Sequence, residues 1–289
     1  MAPGARLHSL FPIEAGPATM RSMSDTLVVN EVYLSLQGES TCAGLPCIFV
    51  RLTACNLRCS YCDTAYAFTE GKRWLLSDVL ARVRQLAGPF AGESPGGSGL
   101  AQAEPSPRPG ERLELPPAPR RLPLVELTGG EPLLQPNSIP LMQQLCDEGF
   151  SVLIETSGAL DIAPIDPRVR RIMDLKCPSS GEMARNRWEN IPLLKRTDEV
   201  KFVIGTLQDY EWAKEQIRRR ELAAICPLLF SWASPLTPGQ QDDSLQKVPA
   251  GQTPITRREL AERILADALP VRFQVQMHKV IWAPDQRGV

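Results

Sequence analysis

Residues 47–68 read CIFVRLTACNLRCSYCDTAYAF, and this stretch joins a buried strand to a group of cysteines. The run CIFVRLT is rich in branched apolar residues, which predicts a strand. Cys55, Cys59 and Cys62 follow it within eight residues. Three thiols so closely spaced allow one loop to wrap around a cubane iron-sulfur cluster and ligate three of its four irons. The sequence therefore predicts a 4Fe-4S cluster with one open iron, placed just beyond the end of a strand.

A structural zinc site is the alternative interpretation of these cysteines, because four cysteine or histidine ligands close a tetrahedron around zinc. Cys42 or Cys47 would then supply the fourth ligand. Zinc modules usually present two separated ligand pairs, whereas here three and two residues separate the thiols and the aromatic Tyr61 precedes the third. This spacing favours the cluster.

A second motif, TGGEP, occupies residues 128–132 at the end of the apolar run LPLVEL. A glycine pair at the end of a strand allows close approach of the backbone to a ligand. The cysteine spacing and the GGEP motif together resemble the radical S-adenosylmethionine superfamily. In that superfamily the open iron chelates the cofactor's amino and carboxylate groups, the cluster reduces it to a 5'-deoxyadenosyl radical, and GGEP contacts the methionyl amino group.

Short apolar runs alternate with helical patterns along most of the chain. Predicted strands lie at 47–53, 122–128, 151–156, 169–176, 199–204, 224–232 and 271–277, and predicted helices at 77–88, 140–149, 208–222 and 256–268. Apolar strands separated by helices indicate a parallel sheet covered by helices. Six or seven such units are too few for an eightfold barrel. The predicted fold is α/β, a partial (β/α)6-type open barrel with its chemistry at the carboxyl ends of the strands.

Three segments fall outside this pattern. Residues 1–25 lack periodicity and are predicted to be a disordered extension ahead of one domain at 26–289. Residues 88–123 and 234–254 are dense in proline, glycine and polar residues. Such composition buries little apolar surface, so both are predicted to be flexible insertions.

Composition narrows the class of protein. The chain has 289 residues, of which 43% are hydrophobic and 22% charged, and a net charge of -1, which supplies no basic field for nucleic acid. No apolar run approaches the length needed to cross a bilayer. We therefore expect a cytoplasmic protein without a nucleic-acid or membrane partner. Its isolated cysteines, Cys146, Cys177 and Cys226, are interpreted as small buried hydrophobes.

A narrower resemblance rests on NEVYLSLQGES, CNLRCSYCDT, TGGEP, IETSG, DLKCPSS, EVKFVI and QMHKVIWAPDQRGV, in this order. These segments resemble the 7-carboxy-7-deazaguanine synthase family. The resemblance implies conversion of 6-carboxy-5,6,7,8-tetrahydropterin to a deazapurine with loss of ammonia. It also implies S-adenosylmethionine, a 4Fe-4S cluster and Mg2+ as cofactors, an external electron donor such as flavodoxin, and a homodimer. Three departures are a serine at position 40, where the family has glycine after QGE, the cysteine at position 177, and the long insertion at 88–123.

The resemblance also implies roles for particular residues. Glu155 and His278 are expected to be catalytic, while Glu39 would accept N–H groups of the pterin and Arg51 would pair with its carboxylate. The full set of implied substrate contacts is Gln37, Gly38, Glu39, Arg51, Thr128, Glu155, His278 and Val289. Alternatively, Arg51 is a snorkelling arginine at a strand end and His278 a structural histidine.

The cofactor contacts follow from the same resemblance. The implied set is Tyr61, Gly129, Gly130, Glu131, Thr156, Lys176 and Lys201 for S-adenosylmethionine, and Thr64 for Mg2+. A solvated position is the alternative for the two lysines, and a turn cap the alternative for Thr64. Two other functions remain open at this point: an activating enzyme that makes a glycyl radical on a protein partner, and a zinc-stabilised binding module without catalysis.

Overall fold

The computed structural model describes residues 25–90 and 122–289, which form a nine-stranded sheet flanked by helices. The strands are β1 Thr26–Leu36, β2 Pro46–Leu52, β3 Lys72–Leu75, β4 Leu124–Gly129, β5 Val152–Thr156, β6 Arg170–Asp174, β7 Glu199–Ile204, β8 Leu228–Trp232 and β9 Arg272–Gln274. The helices are α1 Leu76–Ala87, α2 Ser138–Asp147, α3 Leu207–Arg219, α4 Arg257–Ala266 and the short α5 His278–Ile281.

The strand order is β3-β1-β2-β4-β5-β6-β7-β8-β9, and every neighbouring pair from β2 onward is parallel. The sheet does not close on itself, as the predicted α/β open barrel requires. β1 pairs antiparallel with both β2 and β3. The sequence interpretation missed this antiparallel edge because it searched for strands alternating with helices.

Several element boundaries differ from the prediction. The last strand was predicted over 271–277 but ends at Gln274, so His278 begins a helical turn instead of closing a strand. Lys176 lies two residues beyond the end of β6, and Lys201 lies inside β7. In the described chain, the helical elements between β5 and β7 are short 3-10 turns, and no α-helix lies there.

Alternation along each strand separates two apolar regions. On β4, Val125 and Leu127 face the covering helices and belong to the large outer core. Leu124 faces the barrel interior, in a small apolar cluster with Cys42, Cys47, Phe49, Leu153, Ile172 and Leu229. This cluster fills the amino end of the barrel interior. The interior positions nearer the carboxyl ends are polar, which leaves space for a site there.

The predicted segments have different outcomes. Residues 1–24 and 91–121 lie outside the described residues, so disorder there remains a prediction. Residues 234–254 are described and contain only a 3-10 turn at Pro238–Gln240 and a bridge between Pro254 and Thr206. The Gln246 backbone N–H donates to the Arg58 carbonyl at 2.7 Å, so this segment packs on the cysteine loop. No helix in residues 25–90 and 122–289 has the length and apolar character of a membrane span.

Candidate active site

A cavity of about 560 Å³ opens at the carboxyl ends of the strands. The cysteine loop after β2 forms one wall, and residues 276–289 at the carboxyl terminus of the chain form another. Every predicted site residue lines this cavity except Glu131. The fold therefore brings together residues as far apart in the sequence as Gln37 and Val289.

The cysteine loop is held in place by its neighbours. Both backbone groups of Arg58 are engaged: its N–H donates to Glu182 at 2.7 Å, and its carbonyl accepts from Gln246. The Arg58 guanidinium donates to the Cys55 and Leu57 carbonyls at 2.9 and 2.7 Å and lies 4.1 Å from the centre of the Phe68 ring. These contacts fix the loop between the first two thiols.

The thiols fit a cubane better than zinc. Within residues 25–90 and 122–289, no three Cys, His, Asp or Glu side chains converge as ligands of a single metal ion. Tetrahedral zinc would need its sulfurs within about 4 Å of one another, whereas each thiolate of a cubane binds a different iron. Cys47 cannot supply a fourth zinc ligand, because it begins β2 and lies about 17 Å of strand before Leu52. Cys42 shares its apolar cluster.

The surroundings of the thiols affect cluster binding in two opposite ways. The Leu57 N–H donates to the Cys55 sulfur at 3.4 Å, as backbone amides do around iron-sulfur clusters. Burial raises the pKa of the Cys59 thiol to about 12. A buried thiolate is therefore costly without iron, and cluster binding must release the thiol protons. Three thiols on one fixed loop match a cluster with one open iron.

The glycine pair of TGGEP approaches the protein backbone. A Cβ on Gly129, whose φ is +135°, would lie 2.2 Å from the Leu52 carbonyl oxygen, and one on Gly130 would lie 2.0 Å from that of Ala54. The Gly130 N–H donates to Leu52, and the Glu131 N–H to Ala54 at 2.8 Å. We expected close approach to a ligand, but the structure shows that the pair first of all seats the chain entering the cysteine loop. Both glycines also line the cavity, so a cofactor contact remains a prediction.

Glu131 lies beneath the cavity and is fully buried. Its carboxylate accepts hydrogen bonds from Thr156 Oγ1, from the Ser157 N–H and hydroxyl, and from the Leu133 N–H, at 2.6 to 3.1 Å. With these lone pairs occupied, Glu131 positions the Thr156–Ser157 turn. Its predicted direct contact with the cofactor remains a prediction.

Lys201 lies at the centre of the polar interior and is 5% exposed. Its ammonium pairs with Glu155 and lies 3.6 Å from Glu39 Oε2. Burial opposes both charges, yet Lys201 lowers the pKa of Glu155, and Glu155 in turn raises the pKa of Lys201. Both groups are therefore charged at neutral pH. Thr128 adds a hydrogen bond to Glu155 at 3.2 Å.

Lys176 is likewise buried, at 8% exposed, and pairs with Asp174 at 2.7 Å. Burial works against its charge, but Asp174 and Cys59 raise the pKa of Lys176. A solvated position, the alternative that the sequence left open, is wrong for both Lys176 and Lys201. Each places a positive charge inside the cavity.

Arg51 lies on β2, and its side chain is held by residues of the neighbouring strand β1. Its Nε donates to Glu31 at 2.7 Å and its Nη2 to the Tyr33 hydroxyl at 2.9 Å. Tyr66 also donates to Glu31, at 3.0 Å. The guanidinium therefore lies in a fixed position at the cavity wall, which excludes a snorkelling arginine. Two of its donors are already used, so any substrate carboxylate would meet the remaining ones.

His278 packs against the turn at residues 37–40, which has the sequence QGES and is called the QGES turn below. A Cβ on Gly38 would lie 2.5 Å from His278 Nδ1, so only glycine leaves room for the imidazole. The Gly38 carbonyl accepts from the Met277 N–H at 3.1 Å. Burial lowers the pKa of His278, which favours the neutral ring at pH 7. The structure thus explains why position 38 is glycine: a side chain there would collide with His278. The predicted substrate contacts of Gly38 and His278 remain predictions.

Thr64 lines the cavity beside the cysteine loop, with Oγ1 3.7 Å from the Cys62 sulfur. It makes no side-chain cap to the 3-10 turn that follows it, contrary to the capping alternative. The neighbouring Asp63 carboxylate accepts from Lys279 at 2.5 Å and from Gln276 at 3.2 Å. This contact ties the carboxyl-terminal segment, which carries His278 and Val289, to the cysteine loop.

Sequence reasoning missed several residues of the cavity. They are Glu31, Tyr33, Asp63, Tyr66, Glu126, Asp174, Ser231 and Lys279. A signal existed for Glu126, because it is the one charged residue within the otherwise apolar run LPLVEL. No signal identified Glu31 and Tyr33, since their strand was not recognised.

Comparison with known proteins agrees with this geometry. The chain is 40% identical over 263 residues to 7-carboxy-7-deazaguanine synthase of Koribacter versatilis, covering 90% of this chain and 99% of that protein. It is 36% identical to the enzyme of the same name from Chlorobaculum tepidum, covering 91% and 97% of the two chains. The crystal structure of QueE from Escherichia coli matches its fold with a TM-score of 0.56 at 21% identity, covering 89% of this chain and all of that one. No protein-family model matches the chain.

Proposed function

The chain belongs to the 7-carboxy-7-deazaguanine synthase family, and we propose that it converts 6-carboxy-5,6,7,8-tetrahydropterin to 7-carboxy-7-deazaguanine with loss of ammonia. The observation that carries the proposal is the single cavity in which the three cluster cysteines face Arg51, Glu155 and His278. A lyase of the radical S-adenosylmethionine class needs its cofactor and substrate in one enclosed space.

The cluster would be held by Cys55, Cys59 and Cys62, and S-adenosylmethionine beside it by Gly130, Thr156 and Lys176. When bound, they supply the radical that begins the reaction. The protein's part is to place the substrate and keep water away from it. Lys176, with its buried positive charge next to Cys59, would offset the negative charge of the cluster thiolates.

The opposite side of the cavity suits an anionic pterin. Arg51 lines the cavity and has guanidinium donors beyond the two that bond to Glu31 and Tyr33, and these would bind the substrate carboxylate. Glu39 and Glu155 are ordered by Lys201 and can accept hydrogen bonds from the N–H groups of the pterin ring. His278 is neutral and has one donor and one acceptor nitrogen, so it can hold or move a proton at the substrate.

We also propose Mg2+ as a second cofactor, bound in part by Thr64. A single hydroxyl is a weak ligand, so substrate oxygens and water would complete its octahedron. The test is turnover after chelation and after readdition of Mg2+. Unchanged turnover in the chelated, metal-free sample would contradict this role.

The remaining parts of the proposal are a cytoplasmic homodimer reduced by a flavodoxin-like donor. Apolar side chains exposed near β9 support self-association: Leu265 is 79% exposed, Val280 68% and Phe273 38%. Light scattering would give the mass of the assembly. A monomer at micromolar concentration would contradict the homodimer.

Anaerobic incubation with the carboxytetrahydropterin, S-adenosylmethionine and dithionite tests the proposed function. Mass spectrometry should detect 7-carboxy-7-deazaguanine in a cluster-dependent reaction. An activating enzyme would leave the pterin unchanged, and a zinc protein would be colourless and inactive.

A further inference from the structure

We infer that Glu126 is a positioning residue of the substrate pocket, acting through Gln37 to set the place of Glu39. Glu126 is on β4 and points into the barrel interior, where it lines the floor of the cavity and is 2% exposed. Among the described residues, the Gln37 side chain donates a hydrogen bond to this carboxyl. This inference rests on the proposed function, because the pocket that it concerns is the pterin pocket.

The Gln37 side chain links two parts of the site. Its Nε2 donates to Glu126 Oε2, and its Oε1 accepts from the Glu39 backbone N–H at 2.9 Å. An amide has its donors on nitrogen alone, so turning it over would set Nε2 against the Glu39 N–H. The two contacts therefore define one orientation of the Gln37 amide. The Glu39 backbone N–H fixes its oxygen, and Glu126 fixes its nitrogen.

The orientation reaches the site through Glu39. The Glu39 carboxylate accepts from the Ser231 hydroxyl and lies 3.6 Å from the Lys201 ammonium. Lys201 is shared with Glu155, so the position of Glu39 also affects the carboxylate on β5. A displaced QGES turn would disturb the pocket on both sides and would shift the space left for His278 next to Gly38.

The charge state of Glu126 is consistent with a structural acceptor. Burial raises the pKa of Glu126 well above its usual range, and the Glu155 carboxylate raises it further. A neutral acid avoids a third negative charge beside Glu39 and Glu155. Because the neutral form needs only an acceptor oxygen toward Gln37, a glutamine at this position should replace it.

Three variants of Glu126 separate the effect of side-chain length from the effect of the acid group. Glu126→Gln keeps an acceptor at the same distance, so its KM for the pterin should stay within about three-fold of the wild type. Glu126→Asp keeps the acid but is one methylene shorter, and Glu126→Ala removes it. Both should leave Gln37 unsatisfied and raise KM about ten-fold or more, with a smaller change in kcat. Iron content and cleavage of S-adenosylmethionine without substrate should remain at wild-type levels in all three.

Two controls address stability and coupling. Asp198→Ala removes another buried carboxyl, which accepts from the Arg171 and Lys195 backbone N–H groups at 3.0 and 2.8 Å and does not line the cavity. It should lower the melting temperature without raising KM. If Glu126 acts through Gln37, the double variant with Gln37→Ala should have the KM of Gln37→Ala alone.

Wild-type turnover in the same assay separates the two claims. Wild-type protein that forms no product would refute the proposed function. An active wild type together with a wild-type KM in Glu126→Ala, equal impairment of Glu126→Gln and Glu126→Ala, or additive effects in the double variant would overturn the role of Glu126. Should Glu126→Ala fail to fold, the comparison of Glu126→Gln with Glu126→Asp decides the matter.

Discussion

Gly130→Ala should displace the cluster loop, although position 130 contributes no cluster ligand. A Cβ at this position would lie 2.0 Å from the Ala54 oxygen, 2.5 Å from its carbonyl carbon and 3.0 Å from the Cys55 nitrogen. Ordinary van der Waals contact begins near 3.4 Å, so the backbone must move by 3.4 minus 2.0, or 1.4 Å. All three contacts are backbone atoms, which cannot rotate away as a side chain would.

The displacement acts directly on the first thiol. Moving Ala54 breaks the Glu131 N–H bond to its carbonyl and strains the Gly130 bond to Leu52, at a cost of about 1 to 3 kcal/mol. The Cys55 sulfur is then misplaced by an amount at which site geometry typically costs about a hundred-fold in rate. We expect lower iron content after anaerobic reconstitution and turnover reduced to that extent.

Gly88→Ala is the matched control, because a Cβ there meets no atom within 4 Å. Iron per chain, the absorbance of the cluster and product formation should all be unchanged in it. Gly130→Ala protein with a full cluster and wild-type turnover would refute the claim that this glycine seats the cysteine loop.

Three further predictions concern the loop, the carboxyl-terminal segment and the insertion. Cys59→Ala should abolish cluster absorbance at about 400 nm and all turnover, whereas Cys146→Ala should leave both intact; a Cys59→Ala protein with full iron would exclude the cluster. Lys279→Met should lower stability by about 1 to 3 kcal/mol, because Asp63 loses its cation and keeps only the Gln276 hydrogen bond, and should expose the carboxyl-terminal segment to limited proteolysis; unchanged cleavage would contradict the tie to Asp63. Replacing residues 92–119 with a short glycine-serine bridge should leave folding and turnover nearly intact, and loss of cluster loading would show that the segment contributes to the core.

The sequence predicts the parallel part of the fold well, because apolar runs such as CIFV and VLI are buried on both faces and therefore lack polar alternation. It fails at β1, where TLVVNEVYLSL has polar residues on the face that meets the cavity. It also extends the last strand to Met277, since the periodicity of VRFQVQM does not reveal where pairing with β8 stops.

For the site, motifs identify the residues but not their partners. The sequence places Glu155 and Lys201 at the cavity, yet their ion pair depends on the register of β5, β6 and β7. The same limit applies to Glu131. The motif assigns it to the cofactor, whereas in the structure its carboxylate accepts hydrogen bonds from Thr156 and Ser157 beneath the cavity. Contacts across the barrel arise from tertiary packing, and local spacing does not specify them.

The most direct test of the account is a crystal structure of the cluster-loaded protein with S-adenosylmethionine and the carboxytetrahydropterin. We expect a cubane on Cys55, Cys59 and Cys62, with the pterin between Arg51 and Glu155 in the same cavity. A cluster bound as predicted but a pterin located outside that cavity would contradict the proposed substrate site, and a single zinc ion on the cysteines would contradict the account as a whole.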